Sequence, residues 1–76
     1  MAVFERNFGK IIRDKRERKG LTIKQVAELS GLSDRGLEMI ELGDSDPKLS
    51  SVLNIAHALD MDLGEVNVCI NEAEFV

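Results

Sequence analysis

Few side chains in this sequence of 76 residues are suited to covalent chemistry. Its single histidine, His57, and single cysteine, Cys69, are the groups best suited to general base catalysis or to metal binding. They lie twelve residues apart on different predicted elements, and the spacing suggests no carboxylate to orient either one. One cysteine also excludes an internal disulfide. The sequence therefore predicts no catalytic site, no metal site and no cofactor.

Charged side chains are abundant, and they are unevenly distributed. The formal net charge is -4, which at first sight argues against a nucleic-acid partner. Residues 1–24, however, contain eight basic and three acidic residues, for a net charge of +5. Residues 25–76 contain two basic and eleven acidic residues, for a net charge of -9. Because basic side chains bind phosphate, the uneven distribution leaves DNA possible as a partner.

Length and hydropathy limit the architecture. A chain of 76 residues with 43% hydrophobic side chains predicts a single domain over residues 1–76, since two cores would each be too small to fold. No apolar run approaches the roughly 18 residues that span a bilayer, and the first residues lack the apolar stretch of a signal peptide. We expect a cytoplasmic protein with no membrane partner.

Apolar spacing and capping residues predict five helices. Phe4, Phe8 and Ile12 recur at helical spacing and indicate a first helix over residues 4–18. A capping box at Thr22 and an N-cap at Ser33 start the second and third helices. A fourth helix follows Pro47, with Leu49, Val52, Ile55, Ala56 and Leu59 along one side. A short fifth helix over Leu63 and Val66 starts at a second box-like cap, formed by Asp62 and Glu65.

The end of the chain changes its pattern. Val66, Val68 and Ile70 alternate with polar or small residues at the period of a strand, and residues 67–76 form a short tail. This tail is too short to build a layer of its own. Two hypotheses remain for it: the tail packs back onto the same chain, or it joins Leu53 of the fourth helix in a subunit interface.

Residues 23–42 meet the requirements of a helix-turn-helix motif. Ala27 is small where the two helices approach closely, and Gly31 lies in the turn between them. Leu37 and Ile40 are spaced to point inward from the second helix of the motif. The pattern therefore indicates a helix-turn-helix motif within an all-helical domain.

At this point the sequence resembles the Cro/repressor-type helix-turn-helix proteins of the xenobiotic-response-element class. The resemblance covers roughly residues 8–66. It rests on Phe8-Gly9-Lys10, residues 16–20, Leu21-Thr22, Val26-Ala27, Gly31-Leu32-Ser33, residues 40–43, Pro47 and residues 56–63. It implies an all-α, compact five-helix lambda-repressor-like DNA-binding domain with a short C-terminal tail. It also implies an internal ion pair between Arg16 and Glu41, and a homodimer on operator DNA with the third helix in the major groove.

The outward side of the third helix supplies the candidate base contacts. Arg35 is suited to bond guanine O6 and N7, Glu38 to accept from cytosine N4, and Met39 to touch a thymine methyl group. The other candidate DNA contacts are Ser33 and Asp34 at the helix start and Ile23, Lys24, Lys48 and Arg13 around it. Each base contact has an ordinary alternative: a solvated charge for Arg35, helix solubility for Glu38, and a partly exposed core residue for Met39.

The sequence departs from this family at the same surface. Ile23 occupies a position that is often glutamine in the family, and Asp34, Glu38, Asp44 and Asp46 place negative charge where many relatives carry donors. The leading prediction is a sequence-specific transcriptional regulator that binds a pseudo-palindromic operator as a homodimer. The alternative is a protein-interaction module on the same fold, an antirepressor or partner subunit, in which Ile23, Met39 and Leu42 contact protein.

Overall fold

A computed structural model describes residues 3–62 and 64–67 of the chain. The long helices are α1 (Val3–Arg18), α2 (Ile23–Ser30), α3 (Asp34–Leu42) and α4 (Leu49–Ala58). A helical turn over residues 64–67 forms α5. No strand occurs within the described ranges. The predicted all-α, five-helix fold is therefore confirmed.

Local sequence signals account for the boundaries of the helix-turn-helix motif. The Thr22 hydroxyl accepts a hydrogen bond from the Gln25 backbone N–H at 3.1 Å, and the Gln25 side chain accepts one from the Thr22 N–H at 2.8 Å. Ser33 starts α3 in the same way by accepting from the Gly36 N–H at 3.0 Å. Gly31 ends α2 at φ 69°, a left-handed conformation that glycine adopts at little cost.

The core joins the inner sides of all four long helices and the segment that follows α4. It consists of Phe8, Ile12, Val26, Ala27, Leu37, Ile40, Val52, Ile55, Ala56, Leu59 and Met61. The Phe4 ring stacks on Phe8 with the centroids 5.5 Å apart, which extends the core toward the start of α1. The core thus fixes α2 and α3 of the motif against α1 and α4.

The backbones of α1 and α3 approach closely at Gly9. A Cβ atom at this position would lie 2.5 Å from the Glu41 carbonyl oxygen and 2.6 Å from the Ile40 carbonyl oxygen. Real Cβ atoms do not approach backbone oxygens so closely, so only glycine fits between these helices. Gly9 therefore sets the distance between α1 and the end of α3.

One expectation about the second half of the chain is wrong. Leu49 does not line the buried side of α4, because it occupies the first turn and is 73% exposed. The predicted helix at Val66 is confirmed: the Val66 N–H donates to the Asp62 carbonyl, and the Asp62 side chain accepts from the Glu65 N–H at 2.8 Å. The alternating pattern that begins at Val66 does not make this residue extended. Val68 and Ile70 lie outside the described residues.

Candidate nucleic-acid interface

The outward side of α3 is an exposed surface of the motif. Leu37 and Ile40 are buried, whereas Asp34, Arg35, Glu38 and Leu42 are exposed. Side chains seven residues apart point within about 20° of one another in a helix, so Arg35 and Leu42 share the middle of the outward side. Glu38 lies between them along the helix, toward one flank. The structure thus brings together most of the candidates for base contact.

Met39 and Ile23 lie at the margins of this surface. Met39 lies on the other flank of α3 and is half-buried, although the helical wheel placed it on the outward side. Ile23 is also half-buried and packs against the core. Ile23 and Leu42 nevertheless border a common groove of about 260 Å³ with charged neighbours. That groove is lined by Arg13, Arg16, Ile23, Glu38, Glu41 and Leu42.

Arg16 connects three segments of the chain. Its Nε and Nη2 donate to the two carboxylate oxygens of Glu41 at 2.7 and 3.1 Å, and its Nη1 donates to the Leu21 carbonyl at 2.9 Å. The two paired side chains are only 13% and 7% exposed. The hydrogen bonds that Arg16 donates to the Glu41 carboxylate raise the pKa of Arg16 above its ordinary value. This forked pair fastens the end of α1 to the turn before α2 and to the end of α3.

The other basic residues between positions 13 and 19 also have carboxylate partners. Lys19 bonds Asp60 at 2.8 Å, and this contact lowers the pKa of the Asp60 carboxyl. The remaining pairs are Lys15 with Glu65, Arg18 with Asp14 at 3.0 Å and Arg13 with Glu17 at 3.8 Å. Much of the positive charge of α1 is therefore neutralised within the chain.

Three exposed cations at helix starts have no such partner. Lys24, Arg35 and Lys48 stand at the beginnings of α2, α3 and α4, and none forms an ion pair with the carboxylates that the structure describes. A cation at a helix start opposes the helix dipole, and α2 and α4 carry no acid in the first turn to offset it. These helix starts therefore present both unpaired cations and backbone N–H groups to solvent, an arrangement suited to anions.

Comparison with known proteins identifies the family. The model of the helix-turn-helix family matches residues 12–66. The chain belongs to the helix-turn-helix family of Cro/C1 type. No curated protein sequence matches it significantly.

Solved structures extend this comparison. The restriction-modification controller protein C.AhdI from Aeromonas hydrophila is 34% identical, with a TM-score of 0.76 over 82% of this chain and 94% of that one. The clp gene regulator ClgR from Corynebacterium glutamicum is 23% identical, with a TM-score of 0.81 over 96% of this chain and 95% of that one. At that identity, the likeness to ClgR shows the fold alone. Taken with the family match, these findings show that this helix-turn-helix protein is a DNA-binding transcriptional regulator.

Enzyme active sites, metal sites and membrane-spanning helices are the other features to compare with this helix-turn-helix protein. Family members are regulators rather than enzymes. The described residues contain no group of three or more histidine, cysteine or acidic side chains placed to hold a metal ion. In the same part of the chain, no helix has the length and apolar character needed to cross a membrane.

Some residues that position the site were not identified from the sequence. Gly9 entered only as part of a family motif, although a glycine beside Phe8 within an amphipathic helix is itself a signal of close helix packing. The carboxylate partners of Lys15 and Lys19 lie 50 and 41 positions away, so spacing gave no indication of them. Of the proposed dimer contacts, Leu53 is 46% exposed on α4, and Val66 is half-buried against the core.

Proposed function

We propose that this regulator binds a pseudo-palindromic operator as a homodimer, with α3 in the major groove of each half-site. The outward side of α3 carries the proposal, because an unpaired Arg35 stands at its middle while Leu37 and Ile40 hold the opposite side in the core. The 34% identity to a restriction-modification controller supports the same class of function.

The exposed groups on and around α3 have separate roles in this proposal. Arg35 bonds guanine, Glu38 accepts from cytosine, and the exposed edge of Met39 contacts a thymine methyl group. Asp34 lies next to these groups, and the Ser33 hydroxyl caps the helix that carries them. The protein thus reads base edges with α3 alone.

Phosphate contacts come from the helix starts. Lys24 and Lys48 are exposed and unpaired among the described residues, and each stands beside open backbone N–H groups. Arg13 is exposed and held only loosely by Glu17 at 3.8 Å, so it also reaches a phosphate. Three or four phosphate contacts correspond to a salt slope of roughly -3 to -4 per monomer, which is weak binding for one subunit.

Binding as a homodimer compensates for the weak DNA binding of a single subunit. Leu53 on α4 provides an exposed apolar side chain, and we propose that it forms the interface with Val66 and with Val68 and Ile70 of the tail. The two copies of α3 are then expected about 34 Å apart, which matches half-sites one helical turn apart.

In vitro selection from a pool of random duplexes tests this function. We expect an enriched inverted repeat, bound with a steep dependence on salt. Arg35→Ala should weaken binding by about 1–3 kcal/mol and relax the preference at one base pair of each half-site. Arg18→Ala is the matched control, because Arg18 is an exposed arginine paired with Asp14 on α1. Recovery of no enriched sequence, or equal effects of both variants, would contradict the proposal.

The groove beside Ile23 favours a second candidate function, a protein-interaction module with weak or no DNA binding. Its apolar edge includes Leu42, which is 60% exposed. Ile23→Gln distinguishes the two functions, because DNA binding should persist or improve while a protein interface should weaken. Since Ile23 is half-buried, the melting temperature of the variant should be measured alongside.

A further inference from the structure

Leu42 is a large apolar side chain at the centre of a surface proposed to face DNA. It is the last residue of α3, and it is 60% exposed. It follows Arg35 by seven residues, so both side chains point within about 20° of the same direction. Leu42 therefore lies on the line along which α3 meets the bases, two turns after the arginine.

Leu42 and the neighbouring Ile23 form a small apolar patch in a charged surface. Ile23 lines the same groove and is held in place by its contacts with the core. Charged groups complete the lining, with Glu38 on α3 and Arg13 on α1. Binding is favoured when a ligand removes an exposed leucine from water. The surface that adjoins Leu42 is that of α3.

We infer that Leu42 recognises the 5-methyl group of a thymine. The thymine methyl is the one apolar group that base edges present in the major groove. Seven helical residues span about 10.5 Å, and base pairs are about 3.4 Å apart. The thymine thus lies about three base pairs from the guanine bound by Arg35 in each half-site. This inference rests on the proposed function, because it requires α3 to lie in the groove.

Replacement of thymine by uracil tests the contact directly. The change removes only the methyl group and leaves every hydrogen-bonding group of the base pair in place. In the selected operator, we expect one such replacement to weaken wild-type binding about fourfold per half-site, the effect of roughly 0.8 kcal/mol for one buried methyl-sized group. Leu42→Ala should bind the thymine and uracil duplexes equally.

Leu29→Ala is the matched control for the loss of a leucine. Leu29 is 65% exposed, similar to Leu42, but it lies on α2 and lines a different groove. This variant should keep the fourfold preference for thymine. Leu42→Asn, which keeps the branched shape and the number of non-hydrogen atoms of the side chain, should lose the preference and so show that apolar character matters.

Two results would overturn the inference while leaving the proposed function intact. One is an enriched operator in which no uracil replacement weakens wild-type binding. The other is a Leu42→Ala variant that retains the full preference for thymine, which would assign methyl recognition to another side chain. A selection that enriches no sequence would remove the proposed function and this inference together.

Discussion

The two sides of α3 differ in how they are held. On the inner side, Leu37 and Ile40 are buried and the Glu41 carboxylate is bonded twice to a guanidinium. On the outer side, Arg35 forms no ion pair with any described residue, and Leu42 is largely exposed. The orientation of the side chains proposed to face DNA is therefore fixed by groups on the opposite side of the helix.

The basic residues divide in the same way. Those at positions 13–19 are each paired with a carboxylate, whereas Lys24, Arg35 and Lys48 at the helix starts are not. The most basic stretch of the sequence is thus largely engaged in ion pairs within the chain, and most of the cations proposed to contact DNA are unpaired among the described residues. Experiments that alter one side of α3 at a time test this division.

The largest effect is expected from Gly9→Ala on the inner side. The added methyl group would meet backbone carbonyl oxygens of α3 at 2.5 and 2.6 Å, so the helices must separate. We expect the free energy of unfolding, measured by urea titration, to fall by about 3 kcal/mol. Gly20→Ala is the control, because Gly20 has positive φ but no atom within 4 Å of the added group. Equal losses from both variants would contradict the close approach of α1 and α3.

Arg16→Ala should have the next largest effect. It leaves the nearly buried Glu41 carboxylate without its partner, and we expect a loss of about 2–3 kcal/mol in unfolding free energy. Because the pKa of Arg16 is raised in the folded protein, the contribution of its protonated guanidinium is fully present below the ordinary arginine pKa and is lost as pH rises through the raised value. Arg18→Ala, at an exposed pair, should change stability by less than about 0.5 kcal/mol.

A double-mutant cycle sharpens this result. With Glu41→Ala also present, no charge is left unpaired, so the double variant should be less destabilised than the sum of the two single variants. Additive losses would show that Arg16 acts through packing rather than through the ion pair.

Variants of the unpaired cations should change DNA binding and leave stability alone. Lys24→Gln and Lys48→Gln should each lower the slope of log binding constant against log salt by about 0.9 per subunit. Lys19→Gln is the control, since Lys19 is already paired with Asp60. A slope that falls equally in all three variants would remove the distinction between paired and unpaired cations.

The smallest effect concerns the exposed pair of Lys19 and Asp60. Hydrogen bonding by Lys19 lowers the pKa of Asp60, so the pair stabilises the fold above the ordinary aspartate pKa and is lost as pH falls through the lowered value. Carboxyl titration followed by NMR should show the lowered pKa. In Lys19→Gln, it should return to the ordinary range. An unchanged pKa in that variant would assign the shift to another group.

The helix-turn-helix fold was predictable because its signals are local. Thr22, Ser33 and Gly31 mark helix ends by their own chemistry, and Leu37 and Ile40 mark the buried side of α3 by spacing. The side-chain cap at Asp62 likewise predicted the helical turn that contains Val66, and a period of two that begins at this residue does not outweigh that cap.

The candidate interface was predictable only in outline. The helical wheel identified which side of α3 faces outward, but it did not show the extent to which Met39 and Ile23 are buried. Nor did it separate paired from unpaired cations, because pairs such as Lys15 with Glu65 join residues that are brought together only by the fold.

The brevity of α3 links folding to binding. A helix of nine residues with Gly36 in its first turns is not stable by itself in water, so the side proposed to face DNA exists only within the folded domain. Under the proposed function, operator DNA is a ligand of the native state alone and should raise the midpoint of thermal unfolding. At 100 times the dissociation constant, the expected added stability is about 2.7 kcal/mol, so operator binding should also protect the regulator from unfolding.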